Sequence, residues 1–283
     1  MPSNTAPIGI FDSGVGGLSV LREIRLQIPS ESVLYIADQI HVPYGPRGLE
    51  EVRAFSEGIT RFLLGRGAKL VIVACNTASA AALHHLRQTF PATPFVGMEP
   101  AVKPAAESTH TGVVGVLATP ATFQSVLYAS VVERFASGVT ILQDTCPGLV
   151  GQIEKGELDT AATREILEKA LRPMLERRID TVVLGCTHYP FVIPLIQQII
   201  GPQVRVIDPA PAVARQTARL LDSAGLRGAG SGSAKLHFFT SGDTVRFESH
   251  LPGLLGETGE VQLIVWKGNE IRYLGASNPP SVP

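Results

Sequence analysis

The sequence predicts an α/β fold built on mainly parallel sheets, and two observations carry that prediction. Short β-branched runs alternate along most of the chain with longer segments of helical periodicity, the pattern of parallel strands joined by crossover helices. There is also an internal echo: VIVACNTAS (71–79) and VVLGCTHYP (182–190) both read as apolar strand, small residue, Cys and polar pair. A weaker echo pairs GIFDSGVGG (9–17) with GVLATPATF (115–123) at a similar offset, so the chain reads as two pseudo-symmetric halves.

Taken in order, the strands are expected at residues 7–11, ending on the SGVGG turn, at 33–37 (VLYIA), at 69–74 (KLVIVA) and at 94–96 (PFV). The next set is 112–117 (GVVGVL), 139–142 (VTIL), 181–184 (TVVL) and 204–207 (VRVI), with helical patterns filling most of the gaps. After a Gly/Ser-rich loop at 224–234 come a strand at 236–240 (LHFFT) and a closing pair at 261–266 and 271–274. The Pro/Ser tail beyond 275 is expected to fray.

Composition removes several function classes. The chain of 283 residues is 45% apolar and 17% charged, ample for a real core and unlike a disordered chain. Its net charge of -1 gives no whole-protein field for holding nucleic acid or an anionic membrane. Apolar runs such as LVIVAC (70–75) are far shorter than the roughly 20 residues of a membrane helix. The start, MPSNTAPIGIF, lacks the basic segment and long apolar stretch of a secretory signal, so a cytoplasmic location is expected. The three cysteines, Cys75, Cys146 and Cys186, stand far apart, without C-x-x-C or a nearby His at finger spacing, which points away from zinc and from a disulfide scaffold. His84 and His85 read as solvated or capping side chains, and Lys69, Lys103 and Lys155 sit in no pyridoxal motif. Neither metal nor cofactor is expected.

A free Cys is ordinarily a small buried hydrophobe, and Cys146 reads that way. Cys75 and Cys186 differ, because each leaves an apolar strand into polar residues, Asn76 and Thr77 after the first, Thr187 and His188 after the second. Such a strand-to-helix turn offers unpaired N–H groups and the positive end of a helix dipole, which is expected to lower both thiol pKa values from about 8.5. Two bases from two related halves suit removal of a proton from one face of a carbon and its return from the other, that is, racemisation. A cysteine hydrolase using His188 and Asp12 as helpers is the alternative, but it leaves the second cysteine motif without a role.

The sequence resembles the aspartate/glutamate racemase family, and within it the cofactor-independent members that act on glutamate. The resemblance spans nearly the whole chain, through GIFDSGVGGLSVLREI (9–24), ADQIHVPYGPR (37–47), VIVACNTASAAAL (71–83), GMEPAVKPA (97–105), GVLATPATFQS (115–125), LGCTHYPF (184–191) and IDPAPAVA (207–214). It implies two α/β domains facing a central cleft, here residues 1–97 with 209–275 and residues 98–208, followed by a frayed tail at 276–283. It implies interconversion of L- and D-glutamate in the cytoplasm, D-glutamate going to bacterial peptidoglycan, with a homodimer as the assembly. Cys75 becomes the thiol that meets D-glutamate and Cys186 the one that meets L-glutamate, with Asp12 assisting the first and His188 the second. Ser13, Pro43, Tyr44, Gly45, Asn76, Thr77, Thr119, Thr122 and Thr187 become substrate contacts. Glu154 matches a family glutamate and is grouped with them, although its lead-in, CPGLVGQIEKG, departs from the family's CP-aromatic-VP pattern.

Two expectations about the site come from the residues themselves. The motifs offer no Arg or Lys clamp for the two carboxylates, so backbone N–H groups and short hydroxyl or amide side chains must hold the anion. Gly14, Gly16 and Gly17 are expected to supply positive φ and to let substrate approach the backbone, but they form no nucleotide loop, because G-x-G-x-x-G fails at Ser19. A racemase for aspartate or another small amino acid, or a binding protein that has kept the fold without catalysis, are the rival readings.

Overall fold

Elements follow one another as strand and crossover in a computed structural model that describes residues 3–228 and 234–273. The first stretch runs β1 (Ile8–Asp12), α1 (Leu18–Gln27), β2 (Val33–Ala37), α2 (Leu49–Gly65), β3 (Leu70–Val73), α3 (Asn76–Thr89) and β4 (Phe95–Gly97). The second runs α4 (Val102–Ser108), β5 (Val113–Ala118), α5 (Pro120–Phe123), α6 (Val126–Phe135), β6 (Thr140–Asp144), α7 (Leu149–Glu154), α8 (Ala161–Glu176), β7 (Thr181–Gly185), α9 (Ile193–Ile200) and β8 (Arg205–Ile207). The chain then returns through α10 (Ala210–Ser223), β9 (Leu236–Thr240), α11 (Thr244–Leu254), β10 (Val261–Lys267) and β11 (Glu270–Tyr273). Every strand expected from sequence is present, with ends displaced by at most two residues. Residue 274 of the last expected strand, residues 229–233 of the Gly/Ser-rich loop and the tail lie outside the described residues.

Two sheets result. The larger has the order β11-β10-β9-β2-β1-β3-β4 and the smaller β6-β5-β7-β8. Within the larger, β2-β1-β3-β4 repeats the winding of β6-β5-β7-β8 strand for strand, so β1 corresponds to β5 and β3 to β7, as the two sequence echoes require. All pairings are parallel except β10 with β11. β1, β2, β3 and β7 are buried along their whole length, which is why they read as continuous apolar runs and not as alternating ones.

Three apolar clusters hold this arrangement. One joins the two sheets, running from Ile8, Ile10 and Ile72 to Leu117, Leu184 and Cys186 and taking in α1, α8 and α10. The others lie on the opposite sheet faces, under α2 and α3 around Val71 and Phe239, and under α4 and α6 around Val114 and Val183. Among the described residues no helix is long and apolar enough to cross a membrane.

Candidate active site

Ligands gather at the carboxyl ends of parallel strands, and here four such ends from two sheets converge. β1 ends on Asp12 and hands over to Ser13; β3 leads to Cys75; β5 leads to Thr119; β7 leads to Cys186, Thr187 and His188. Cys75 caps α3, its Sγ accepting from the Ala78 N–H at 3.5 Å, and Thr119 caps α5, accepting from the Thr122 N–H at 3.3 Å. Together they enclose a cavity of about 20 Å³ lined by Ser13, Pro43, Tyr44, Gly45, Cys75, Asn76, Thr77, Thr119, Val150, Cys186, Thr187 and His188.

Eleven of those twelve lining residues are expected site residues; the exception is Val150 of α7. Three expected residues stand behind the wall. Thr122 bonds Thr119 through their hydroxyls at 2.9 Å, and Thr119 in turn meets Thr77 across the cleft at 2.9 Å. Asp12 accepts from the Gly14 N–H at 3.0 Å and from the Thr187 hydroxyl at 3.2 Å, so its hydrogen-bond partner across the cleft belongs to the Cys186 side. Glu154 places Oε1 2.6 Å from His188 Nε2 and accepts on the same oxygen from the Val15 N–H at 2.8 Å. His188 Nδ1 lies 3.7 Å from Cys186 Sγ, completing a Glu154–His188–Cys186 chain.

Burial sets the electrostatics. Burial, and then the negative charge of Asp12, pushes the Cys75 thiol well above its ordinary value, outweighing the hydrogen bonds from Ala78 and Ser13 that work the other way. The expectation of a lowered pKa therefore fails for Cys75: the helix start acts in the predicted sense, but desolvation is the larger effect. Burial also raises the Asp12 carboxyl, although His188 opposes it. For His188, burial disfavours the cation, yet hydrogen bonds and charge from Cys186 and Glu154 lift it well above its ordinary value. Burial opposes ionisation of Glu154 too, and bonds from His188, Val15 and Gln39 overcome it and hold that carboxyl low. Glu154 and Cys186 thus both favour the charged form of the imidazole held between them.

The glycine-rich turn does a different job from the one its sequence suggested. Gly14, Gly16 and Gly17 are absent from the positive-φ positions, and Gly17 has φ -63°. Their neighbours are protein side chains: a Cβ would stand 1.9 Å from Glu154 Oε1 at Gly14 and 2.4 Å from His188 Nδ1 at Gly16. The turn is bare at Gly14 and Gly16 so that the Glu154–His188 pair can press against it, and at Gly17 where Asp12, Tyr35 and Ala74 close in.

Sequence reasoning missed Gln39, whose Nε2 donates to Glu154 Oε2 at 3.2 Å, and Arg246, whose guanidinium donates to the Glu154 carbonyl at 2.9 Å. Gln39 lies inside the ADQIHVPYGPR segment, which could have pointed to it; Arg246 has no local signal. Asn76 Nδ2 and Oδ1 are buried without partners at the cavity wall. No Arg or Lys is among the lining residues, so the neutral groups there are what an anion would meet.

The Asp/Glu/hydantoin racemase family profile matches residues 8–217, and the chain belongs to that family. Within it, similarity runs to the glutamate racemases. The chain is 51% identical to the glutamate racemase of Pseudomonas paraeruginosa, over 92% of this chain and 98% of that one. It superposes with a TM-score of 0.81 on the Escherichia coli glutamate racemase in complex with L-glutamate and the activator UDP-MurNAc-Ala, at 34% identity over 95% and 100% of the two chains. The Francisella tularensis glutamate racemase in complex with D-glutamate gives 0.80, at 27% identity over 93% and 98%.

Proposed function

We propose that this cavity racemises glutamate by two-thiol proton transfer without a cofactor. One observation carries the reading: Cys75 and Cys186 follow corresponding strands, β3 and β7, of two sheets wound alike, and both line one cavity. Starting from D-glutamate, the Cys75 thiolate removes the Cα proton and the Cys186 thiol returns one to the opposite face; from L-glutamate the roles exchange. Between turnovers burial keeps Cys75 protonated, ready to donate. On the other side His188, oriented by Glu154, places a positive charge 3.7 Å from the sulfur that must be negative before it can accept a proton.

The neutral wall suits the substrate. Asn76, Thr77, Thr119 and Thr187 offer amide and hydroxyl groups to the two carboxylates, and the orphaned Asn76 amide gains partners when substrate enters. Asp12, whose negative charge raises the Cys75 thiol, is the assisting group on that side, and Thr122 and Glu154 support the wall residues Thr119 and His188 and not the substrate itself. A cavity of about 20 Å³ holds one or two waters, so glutamate is admitted only when the two walls part.

The same reading assigns residues 1–97 with 209–275 and residues 98–208 to the two moving units. It gives the product to peptidoglycan synthesis in the cytoplasm, with a homodimer as the working assembly. Polarimetry on purified protein with L-glutamate, L-aspartate and L-alanine tests it: rotation should vanish with L-glutamate alone. Faster turnover of aspartate or alanine would reassign the substrate, and no turnover of any would leave a binding protein.

A further inference from the structure

We propose that Gln39 is a positioning residue that couples closure of the cleft to the acid–base chemistry on the Cys186 side, by gripping the Glu154 carboxylate only when the two walls meet. This rests on the two-thiol reading above. Gln39 lies just past β2 and lines no part of the cavity. Its Nε2 donates to Glu154 Oε2 at 3.2 Å, while Glu154 Oε1 serves the Val15 N–H and His188. Val15 and Gln39 follow strands of the larger sheet, whereas Glu154 and His188 belong to α7 and the segment after β7 of the smaller one. The bonds that fix the carboxylate therefore cross the cleft, and the bond from the carboxylate to His188 does not.

The Gln39 amide has only one workable orientation. Thr240, fully buried at the end of β9, accepts from the Gly242 N–H at 3.0 Å on its hydroxyl oxygen. The Glu154 carboxylate can only accept, so the NH₂ end of the amide faces it, and Gln39 Oε1 is left to accept the Thr240 hydroxyl hydrogen at 2.9 Å. On closure a carboxylate oxygen thus meets a pre-aimed donor that stabilises the anion and aims its partner oxygen at His188. With the cleft open, Glu154 loses that donor and the Val15 N–H together, and the His188 cation next to Cys186 loses its fixed counter-charge. Full basic strength on the Cys186 side then exists only around an enclosed substrate.

Glu154 is also faced by Asp12 at the end of β1, Tyr35 of β2, and Arg246 and His250 of α11, and each is a charge or proton that a pH experiment must separate. Arg246 supplies the control, because it crosses the same gap but binds the Glu154 carbonyl and leaves the carboxylate alone. The experiment measures chloride release from 3-chloroglutamate of each Cα configuration, a reaction in which one thiolate takes the Cα proton, the Cα–H electron pair forms the double bond and chloride leaves Cβ. Wild type, Gln39→Leu, Thr240→Val and Arg246→Leu are compared across pH, with circular dichroism to establish folding.

Gln39→Leu should slow elimination from the L-configured analogue by about 10- to 100-fold, which at 1.36 kcal/mol per decade matches one hydrogen bond to a charged group. The D-configured analogue should change by less than about threefold. The acid limb of the L-profile should move to higher pH, since a carboxylate deprived of a donor takes up its proton sooner. Thr240→Val should show the same asymmetry more weakly, and Arg246→Leu should raise KM for both analogues alike. Equal losses on both analogues with an unmoved acid limb, or wild-type rates in Gln39→Leu, would overturn the inference. If wild type released chloride from neither analogue, the two-thiol reading itself would fall.

Discussion

Adding one methyl group at Gly14 should disable catalysis while leaving the fold largely in place. A Cβ there would lie 1.9 Å from Glu154 Oε1 and 2.7 Å from its Cδ, well inside contact distance. The obstructing atoms are the far end of a side chain, so the clash is relieved by swinging Glu154 away and not by moving backbone. That swing breaks the 2.6 Å contact to His188 and the 2.8 Å bond from Val15. Two bonds to a charged group at about 1.5–3 kcal/mol each put the local loss on the order of 3–6 kcal/mol. A positioned acid–base helper is worth roughly 10²- to 10⁴-fold in rate, about 3–5 kcal/mol at 1.36 kcal/mol per decade, so the two magnitudes agree. In the assay, Gly14→Ala should lower kcat/KM by that factor for D- and L-glutamate equally, because enantiomers have equal free energy and the racemisation equilibrium constant is one. The asymmetry should surface only in irreversible elimination from a β-leaving-group analogue, where the L-configured compound suffers most. Gly14→Ala racemising within about threefold of wild type would refute the reasoning, since Glu154 could not then be needed where it stands.

Four further outcomes follow from the same geometry. His188→Asn should lower racemisation equally in both directions and slow elimination from the L-analogue by roughly 10²- to 10⁴-fold; were His188 only a cap for the segment after Cys186, Asn would leave elimination untouched. Because burial and Asp12 hold the Cys75 thiol up, its labelling by iodoacetamide should keep accelerating as pH rises beyond about 8.5, with glutamate protecting; a plateau below that pH would reverse the sign assigned here. Activity should survive EDTA and hydroxylamine with a thiol reductant present, and a loss restored only by zinc or pyridoxal phosphate would end the two-thiol account. Lys69→Met should cost about 3–5 kcal/mol in urea denaturation by stranding Glu31, its buried partner at 2.6 Å, yet spare kcat, since the pair lies away from the cavity.

What the sequence disclosed and what it withheld divide along a physical line. The strands were legible because buried parallel strands need continuous apolar runs, as in LVIV of β3 and TVVL of β7, and the echo around Cys75 and Cys186 carried the paired winding of the sheets. The wall of the cavity was legible for a related reason: its residues follow strand ends within a few positions, so local motifs mark them. Glu154 was read as a substrate contact because nothing in CPGLVGQIEKG says that its carboxylate points to His188 and not into the cavity. The glycine turn was misread for the same cause, since the neighbours of Gly14 and Gly16, Glu154 and His188, come from segments more than a hundred residues away. The direction of the Cys75 shift was missed because a helix start is a local feature, whereas the burial that outweighs it is assembled by both sheets. Val150 and Arg246 left no local trace at all.

The central claim, that two thiols serve opposite faces of one carbon, is tested most directly by running L-glutamate in D₂O and reading Cα deuterium in each enantiomer at early times. A donor thiol that has equilibrated with solvent delivers deuterium to the face opposite the one from which protium was taken. D-glutamate formed in the first few per cent of reaction should therefore be deuterated at Cα while unreacted L-glutamate keeps its protium, and the reverse experiment from D-glutamate should mirror it. Product that retains substrate-derived protium at Cα would mean that a single base carries the proton between faces, and would contradict the pairing of Cys75 with Cys186.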